Sequence, residues 1–219
     1  MKSVLLTGFE PFGGEKTNPS GEIARALDGR VLLGRRVTGA VLPCVFGAAN
    51  VELRRLVRAV RPELVICLGQ AGGRAEVTPE RVAINVDDAR IPDNAGAQPV
   101  DVRIVARGPA AYWSTLPIKA IVEALREHGI PAAVSQTAGT FVCNHVFYGL
   151  MHALRHGSGR ALRRRRGARG GFIHVPFLPE QTKSDPSLPL ATMQRAVELA
   201  IETSLKRRRD VRRAGGQTH

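Results

Sequence analysis

A run of five apolar residues, 64–68, constrains the fold of this chain more than any other stretch. Because polar residues do not alternate within it, the run predicts a strand that is buried on both faces, as in a parallel sheet. It follows residues 47–60, in which apolar side chains recur at helical spacing, and Pro62 ends that helix. Strand-like and helical segments continue to alternate along the chain.

This alternation predicts an α/β fold, a single three-layer α/β/α sandwich with a mostly parallel central sheet. We expect one catalytic domain over residues 1–205, with an Arg-rich loop at about 156–170. The basic tail, 206–219, is expected to be disordered. Further strands are predicted in the ranges 3–7, 36–42, 102–105, 132–135 and 170–175. Further helices are predicted in the ranges 18–27, 118–128, 144–155 and 190–205.

The formal net charge of +13 raises the question of a nucleic-acid partner. Six of these charges lie between residues 160 and 169 without an intervening acid, and residues 206–213 contribute a net five. The rest of the chain is therefore close to neutral. Isolated basic runs are usually solvated and bind polyanions without specificity, so we do not expect a nucleic-acid partner.

The three cysteines, Cys44, Cys67 and Cys143, are an odd number and form no C-x-x-C pair. This usage favours free thiols in a reducing compartment over a disulfide framework or a zinc site. No run approaches the ~20 apolar residues that cross a bilayer, and the N-terminal apolar run is too short for a signal peptide. We expect a soluble, cytoplasmic protein without a metal or cofactor.

Residues 135–148, S-Q-T-A-G-T-F-V-C-N-H-V-F-Y, place Cys143 at the start of a predicted helix. The unpaired N–H groups and the helix dipole at that end favour a thiolate, which is the nucleophilic form. A strand, a sharp turn and a nucleophile at a helix start are typical of acyl-transfer enzymes. The alternative is a buried structural cysteine.

A cysteine nucleophile needs a base, and the base needs an orienting partner. His174 lies at the end of a predicted strand, whereas His145 is two residues from Cys143 and would point away from it on a helix. Glu80, which follows a glycine-rich loop, is the candidate orienting acid. A core histidine and a solvated glutamate are the alternatives. In α/β sheets, sites form at the carboxyl ends of strands. The residues predicted to lie at or just beyond strand ends are Phe9, Gln70, Cys143 and His174.

The glycine-rich stretch G-Q-A-G-G-R, residues 69–74, follows a predicted strand as a dinucleotide-binding loop would. Its spacing differs from G-x-G-x-x-G, and a strand-like segment rather than a helix follows it. The sequence therefore argues against nucleotide binding here.

Seven segments together resemble the pyroglutamyl peptidase I family of cysteine peptidases, also called pyrrolidone carboxyl peptidases. They include T-G-F-E-P-F-G-G (7–14), G-Q-A-G-G-R (69–74), T-P-E-R-V-A-I-N (78–85), D-A-R-I-P-D-N (88–94), S-T-L-P-I-K (114–119), A-G-T-F-V-C-N-H-V-F-Y (138–148) and F-I-H-V-P-F-L-P-E-Q (172–181). The resemblance extends from residue 1 to about 205. The Arg-rich loop and the basic tail depart from the family's pattern.

The resemblance implies hydrolysis of the amide after an N-terminal pyroglutamyl residue, through a thioacyl-enzyme intermediate. It implies Cys143 as nucleophile, His174 as general base and Glu80 as the acid of the triad. Arg90 is implied as an oxyanion donor beside the Cys143 backbone N–H; a surface ion pair with Asp87 or Asp88 is the alternative. The substrate pocket is implied at Phe9, Phe12, Gln70, Ile91, Phe141 and Val142, where core packing is the alternative for the apolar residues.

The resemblance also implies a homotetramer that acts on pyroglutamyl peptides. Two other functions remain open on the sequence: a nucleoside-phosphorylase-like domain with a similar sheet, and a nucleic-acid-associated protein acting through its arginine runs. Loss of peptidase activity on changing Cys143 would distinguish the peptidase from these two alternatives.

Overall fold

A central six-stranded sheet forms the middle layer of the protein. A computed structural model describes residues 3–156 and 167–216, so most of the predicted Arg-rich loop lies outside the described residues. The strands run in the order β2-β3-β1-β4-β8-β5. Their bounds are β1 Ser3–Phe9, β2 Val31–Leu32, β3 Arg35–Leu42, β4 Leu64–Gln70, β5 Thr78–Pro79 and β8 Arg169–Val175.

The four inner strands, β3, β1, β4 and β8, are parallel, and only the short edge strands β2 and β5 pair antiparallel. The predicted mostly parallel sheet is therefore confirmed. Strand β4 lies at the centre and is buried along its whole length, as its apolar run indicates. Strands β6, Val82–Ile84, and β7, Ala111–Trp113, form a separate antiparallel pair.

Helices cover both faces of the sheet. They are α1 Pro19–Ala26, α2 Ala48–Val60, α3 Ile118–Glu127, α4 Val142–His156 and α5 Leu190–Lys206, with a short 3-10 helix at Pro179–Gln181. Side chains of α1, α3 and α5, such as Ile23, Ile121 and Val197, form one core with the sheet. Side chains of α2 and α4, such as Leu53 and Phe147, form the other. Burial of each such side chain contributes about 1.5–3 kcal/mol.

Helix α1 shows how local sequence sets the element bounds. The side chain of Asn18 accepts a hydrogen bond from the Ser20 N–H at 3.1 Å, and Pro19 is the first helical residue, as predicted. The helix then packs tightly against β1 because Gly8 has no side chain. A Cβ at Gly8 would lie 2.0 Å from the carbonyl oxygen of Ser20.

Two predicted strands do not form. Residues 132–135 make only isolated bridges, Val77 with Ala132 and Glu80 with Ser135, and residues 102–105 contribute one bridge, Asp87 with Val102. The first stretch faces β5, which is too short to continue a ladder, and the preceding Pro131 has no N–H to donate. The bridge from Ser135 to Glu80 nevertheless fixes the segment that leads to α4.

The chain after α5 lies against α3 in the residues that are described. The Asp210 carboxylate accepts hydrogen bonds from the backbone N–H groups of Lys119 and Ala120 at 3.0 and 2.9 Å. The carbonyl oxygen of Gly215 accepts from Arg81 Nη2 at 2.7 Å. These contacts differ from the expectation of a disordered tail for residues 207–216. Among the described residues, no helix combines the length and apolar character needed to cross a membrane.

Candidate active site

The predicted site residues converge at the carboxyl edge of the parallel strands. Phe9 is the last residue of β1, Gln70 the last of β4, and His174 the last but one of β8. Cys143 is the second residue of α4, which begins two residues earlier than the predicted range 144–155. The sheet edge therefore brings together residues that lie more than a hundred positions apart in the sequence, such as Phe9 and His174.

His174 and Glu80 form a buried hydrogen-bonded pair. Strand β5 pairs antiparallel with β8, Thr78 opposite His174, so that Glu80 lies just beyond the strand and beside the imidazole. His174 Nδ1 lies 2.7 Å from Glu80 Oε1, and the two residues are 4% and 0% exposed. A carboxylate only accepts, so Nδ1 carries the proton and Nε2 is the basic nitrogen. This is the arrangement that an oriented general base requires.

Arg74 is a third member of this cluster that the sequence reasoning did not identify. Its Nη1 donates to Glu80 Oε1 and to Thr78 Oγ1, both at 2.7 Å. Its Nη2 donates to the carbonyl oxygen of Thr137 at 3.1 Å. The only sequence signal for Arg74 was its position at the end of G-Q-A-G-G-R, six residues before Glu80.

The sulfur of Cys143 lies over Gly69, which faces His174 across the sheet. Gly69 and His174 are Cα partners in the β4–β8 pairing. A Cβ placed on Gly69 would lie 2.8 Å from Cys143 Sγ. The Phe172 ring lies at the same point and contacts His174, with ring centroids 4.9 Å apart. The bare backbone of Gly69 thus provides the space for the sulfur at the strand that carries the histidine.

Burial raises the pKa of the Cys143 thiol above its ordinary value. The neighbouring Cys44 and the charge of Glu80 raise it further, whereas the positive charge of Arg74 lowers it. Burial therefore opposes the thiolate that the helix start was expected to favour. A proton acceptor close to the sulfur is needed for the thiol to react at neutral pH.

His145 has a structural role in a second buried pair. Its Nδ1 lies 2.8 Å from Asp87 Oδ2, and its Nε2 accepts the N–H of Gly47 at 3.0 Å. Both ring nitrogens are engaged away from Cys143. Since Nε2 accepts a backbone N–H, the ring is neutral with its proton on Nδ1. The expectation that this histidine points away from Cys143 agrees with its contacts.

Arg90 is exposed in the loop that leads away from Asp87. Within the described residues it forms no ion pair with Asp87 or Asp88, and Asp87 bonds His145 instead. The same loop is tied to the residues before α4, because the Asp88 N–H donates to the carbonyl oxygen of Thr140 at 3.0 Å. The alternative of a surface ion pair with Asp87 or Asp88 is therefore absent from the described residues.

An aromatic wall stands beside the start of α4. The rings of Phe12 and Phe141 have centroids 5.9 Å apart, and Phe46 packs edge-on against Phe141 at 5.4 Å. Ile91, 41% exposed, borders the Phe12 loop, since its Cδ1 lies 3.9 Å from the Cβ position of Gly13. Phe46 was not predicted, because it lies outside every motif segment and only tertiary packing brings it here.

The remaining predicted pocket residues are more deeply buried. Phe9 and Val142 are 2% and 1% exposed and belong to the core formed with α2 and α4. Most of the surface of Phe9 and Val142 is therefore buried by core packing, which was the alternative to a pocket role for these residues. Gln70 belongs to β4 rather than to the loop that follows it, and its Oε1 accepts from Gln181 Nε2 at 3.0 Å.

A three-layer α/β/α sandwich that carries a cysteine at a helix start and a buried histidine–glutamate pair at the same sheet edge is typical of α/β cysteine peptidases. Comparisons with known proteins identify the member of this class. A family model described as pyroglutamyl peptidase matches residues 2–207. The chain belongs to the pyroglutamyl peptidase family.

Relatives match over their full length. A pyrrolidone-carboxylate peptidase of Chromobacterium violaceum is 59% identical over 100% of both chains. The crystal structure of Bacillus amyloliquefaciens pyroglutamyl peptidase I superposes with a TM-score of 0.90 at 50% identity, covering 96% of this chain and 100% of that one. Pyrrolidone carboxyl peptidase from Thermococcus litoralis also gives 0.90, at 41% identity over 98% and 100% of the two chains. The predicted fold and family are confirmed.

Proposed function

We propose that this protein hydrolyses the amide bond after an N-terminal pyroglutamyl residue, with Cys143 as nucleophile, His174 as general base and Glu80 as its orienting acid. The observation that carries the assignment is the 2.7 Å bond between His174 Nδ1 and Glu80 Oε1, next to the strand position over which the Cys143 sulfur lies. Membership of the pyroglutamyl peptidase family supports the substrate class.

The first half-reaction forms a thioester. Nε2 of His174 takes the proton of the Cys143 thiol as the sulfur attacks the pyroglutamyl carbonyl carbon. The resulting oxyanion is stabilised by the backbone N–H of Cys143, which in the first turn of α4 has no intrahelical acceptor, and by the Arg90 guanidinium. When the C–N bond breaks, the imidazolium gives its proton to the departing amine, and the shortened peptide leaves.

The second half-reaction restores the enzyme. Nε2 of His174 takes a proton from water, whose oxygen attacks the thioester carbonyl carbon. The C–S bond breaks, the sulfur recovers the proton from the imidazolium, and pyroglutamate is released. Glu80 stabilises the imidazolium in both half-reactions without itself being protonated.

The pocket suits a flat, uncharged lactam. Phe12, Phe141 and Ile91 offer partly exposed apolar surface near the start of α4, and Gln70 and the adjoining backbone supply polar groups. Phe9 and Val142 shape the pocket from behind. Apolar walls with a few fixed polar groups are typical of small-molecule sites.

The test is release of a fluorogenic amine from a pyroglutamyl conjugate. We expect Cys143→Ser and His174→Ala to lower kcat/KM by about 10³-fold or more. His128→Ala is a matched control that keeps activity, since His128 lies at the end of α3 and contacts its own helix at Ala124. A prolyl conjugate, which has a charged ring amine and a methylene in place of the neutral lactam N–H and carbonyl, should not be cleaved. Wild-type turnover by Cys143→Ser would rule out the mechanism.

We further propose that the protein is a cytoplasmic homotetramer. Cys44, Cys67 and Cys143 are all free thiols, as a reducing compartment permits. Trp113 and Val100, each 68% exposed, offer apolar surface for self-association. Light scattering during size-exclusion chromatography measures the assembly directly, and a monomeric mass at assay concentrations would exclude the tetramer.

A further inference from the structure

The Glu80 carboxylate lies in surroundings that require a fixed positive charge. It is 0% exposed, and a buried carboxylate without a counter-charge is strongly unfavourable. Its second oxygen, Oε2, has no hydrogen-bond partner among the described residues. A neutral His174 offers Oε1 a hydrogen bond but no charge. During the steps in which His174 is neutral, another group must therefore keep Glu80 ionised.

Arg74 provides this charge through the same oxygen. Its Nη1 lies 2.7 Å from Glu80 Oε1, so that one carboxylate oxygen receives both the guanidinium and the imidazole. The bonds to Thr78 Oγ1 and the Thr137 carbonyl hold the guanidinium plane in place. Thr78 is the strand partner of His174, and residue 137 precedes α4. Arg74 thus links the segments that carry the acid, the base and the nucleophile.

We propose that Arg74 is a positioning residue of this active site, which holds Glu80 ionised and oriented and sets the pH range over which Cys143 and His174 act together. The proposal rests on the function proposed above. A charge-assisted fork of this kind needs arginine, because lysine offers a point charge without the fixed geometry.

The direction of the pH effect follows from the charges around the pair. Glu80 bonds His174 from the segment between β5 and β6, and Arg74 bonds Glu80 from the segment before β5. Glu80, Arg74, Cys44 and Cys67 are the titratable groups that act on the Cys143 sulfur. The positive charge of Arg74 lowers the pKa of the Cys143 thiol. Without Arg74, loss of the proton that the Glu80–His174 pair can hold would leave a buried carboxylate without a counter-charge, so the pair releases this proton only at higher pH. The thiol proton likewise becomes harder to remove. Both limbs of the profile of kcat/KM against pH should therefore move to higher pH.

The experiment compares Arg74→Gln, which removes the charge, with Arg74→Lys, which keeps it. We expect Arg74→Gln to move both limbs up by about one pH unit, the lower end of the effect of a neighbouring charge. On the acidic limb this corresponds to about a tenfold fall in kcat/KM at fixed pH. Arg81→Gln is the matched control, since Arg81 adjoins Glu80 in sequence but donates to Gln136 and Gly215. Its profile should not move.

Arg74→Lys decides the question if Arg74→Gln does not fold. We expect it to keep the wild-type pH limits but to lower kcat, because the fork to Thr78 and Thr137 is lost. A purely structural role for Arg74 predicts lower thermal stability with an unmoved pH profile, and that result in Arg74→Gln would overturn the proposal. An unchanged kcat in Arg74→Lys would also overturn the proposal.

Failure of this proposal is distinguishable from failure of the proposed function. If Cys143→Ser is inactive and the Arg74→Gln profile is unmoved, only the role of Arg74 is wrong. If Cys143→Ser retains turnover, the proposed mechanism fails first. A titration of His174 followed by NMR in Cys143→Ser adds a readout without turnover, and its midpoint should rise when Arg74 is also changed to glutamine.

Discussion

Gly69 of β4 and His174 of β8 are paired across the sheet, and the space where a side chain of residue 69 would lie holds the Cys143 sulfur. Three elements meet at this point: two parallel strands and the first turn of α4. The pairing explains how the proposed nucleophile on a helix reaches the strand position beside the proposed base. It also makes the geometry of the site depend on a residue that has no side chain.

Gly69→Ala should therefore inactivate the enzyme while leaving it folded. The added Cβ would lie 2.8 Å from Cys143 Sγ and 2.8 Å from the Phe172 ring, so the sulfur must shift. A displacement of about 1 Å at a reacting atom costs on the order of 10²-fold in rate. The measurement is kcat/KM beside a thermal unfolding curve. Gly216→Ala, whose Cβ meets no atom within 4 Å, is the control, and full activity of Gly69→Ala would contradict the placement of the sulfur.

Alkylation of the native protein should modify Cys143 alone. Cys44 and Cys67 are 3% and 0% exposed, and burial raises the pKa of each to about 12. Intact-mass measurement after treatment with iodoacetamide should show one added group, in step with loss of activity. Modification of Cys67 before Cys143 would contradict this order.

The pH dependence of that alkylation tests the role of His174. In the wild type, the imidazole accepts the thiol proton, so alkylation should proceed at neutral pH. In His174→Ala, the acceptor is gone and burial keeps the thiol pKa raised, so the rate should increase only as the pH becomes alkaline. Identical pH dependence in the two proteins would show that His174 does not accept the proton of the Cys143 thiol.

His145→Leu should destabilise the fold strongly. It removes the partner of a buried Asp87 carboxylate and the acceptor of the Gly47 N–H. Leaving a buried donor or acceptor unsatisfied costs about 1–3 kcal/mol in the free energy of unfolding, and more for a charged group such as the Asp87 carboxylate. The value is measured by urea denaturation, with His145→Gln as the matched variant, because its amide can both donate to Asp87 and accept from Gly47. Equal stability of the leucine and glutamine variants would argue against a stabilising hydrogen bond between His145 and Asp87.

Asp210→Ala should lower stability without changing catalysis. The Asp210 carboxylate caps the start of α3, whose own N-cap, Pro117, offers no side-chain acceptor. Loss of a capping group costs about 1 kcal/mol, or roughly 2–4 °C in Tm for a chain of this size. Differential scanning calorimetry measures the shift. Glu127→Ala, an exposed acid at the other end of α3, is the control; equal Tm values for the two variants would mean that the tail does not dock.

Sequence periodicity predicted the main elements because their burial is set locally. The apolar run at 64–68 is the core of the central strand β4, and the helical spacing at 47–60 became α2. The segments at 102–105 and 132–135 carry the same residue types but lack a neighbouring strand long enough to pair with. A strand needs its partner, which single-sequence patterns do not contain, so these two predictions were wrong.

The sequence by itself determined the α/β/α fold, the family and the candidate triad of Glu80, Cys143 and His174, because motif residues and apolar periodicity are properties of the chain order. Only the tertiary structure decided that Arg74 shares the Glu80 oxygen with His174, that Phe46 completes the aromatic wall and that Gly69 makes room for the sulfur. These contacts join residues from separate elements, and their distances depend on how strands and helices pack rather than on any local pattern.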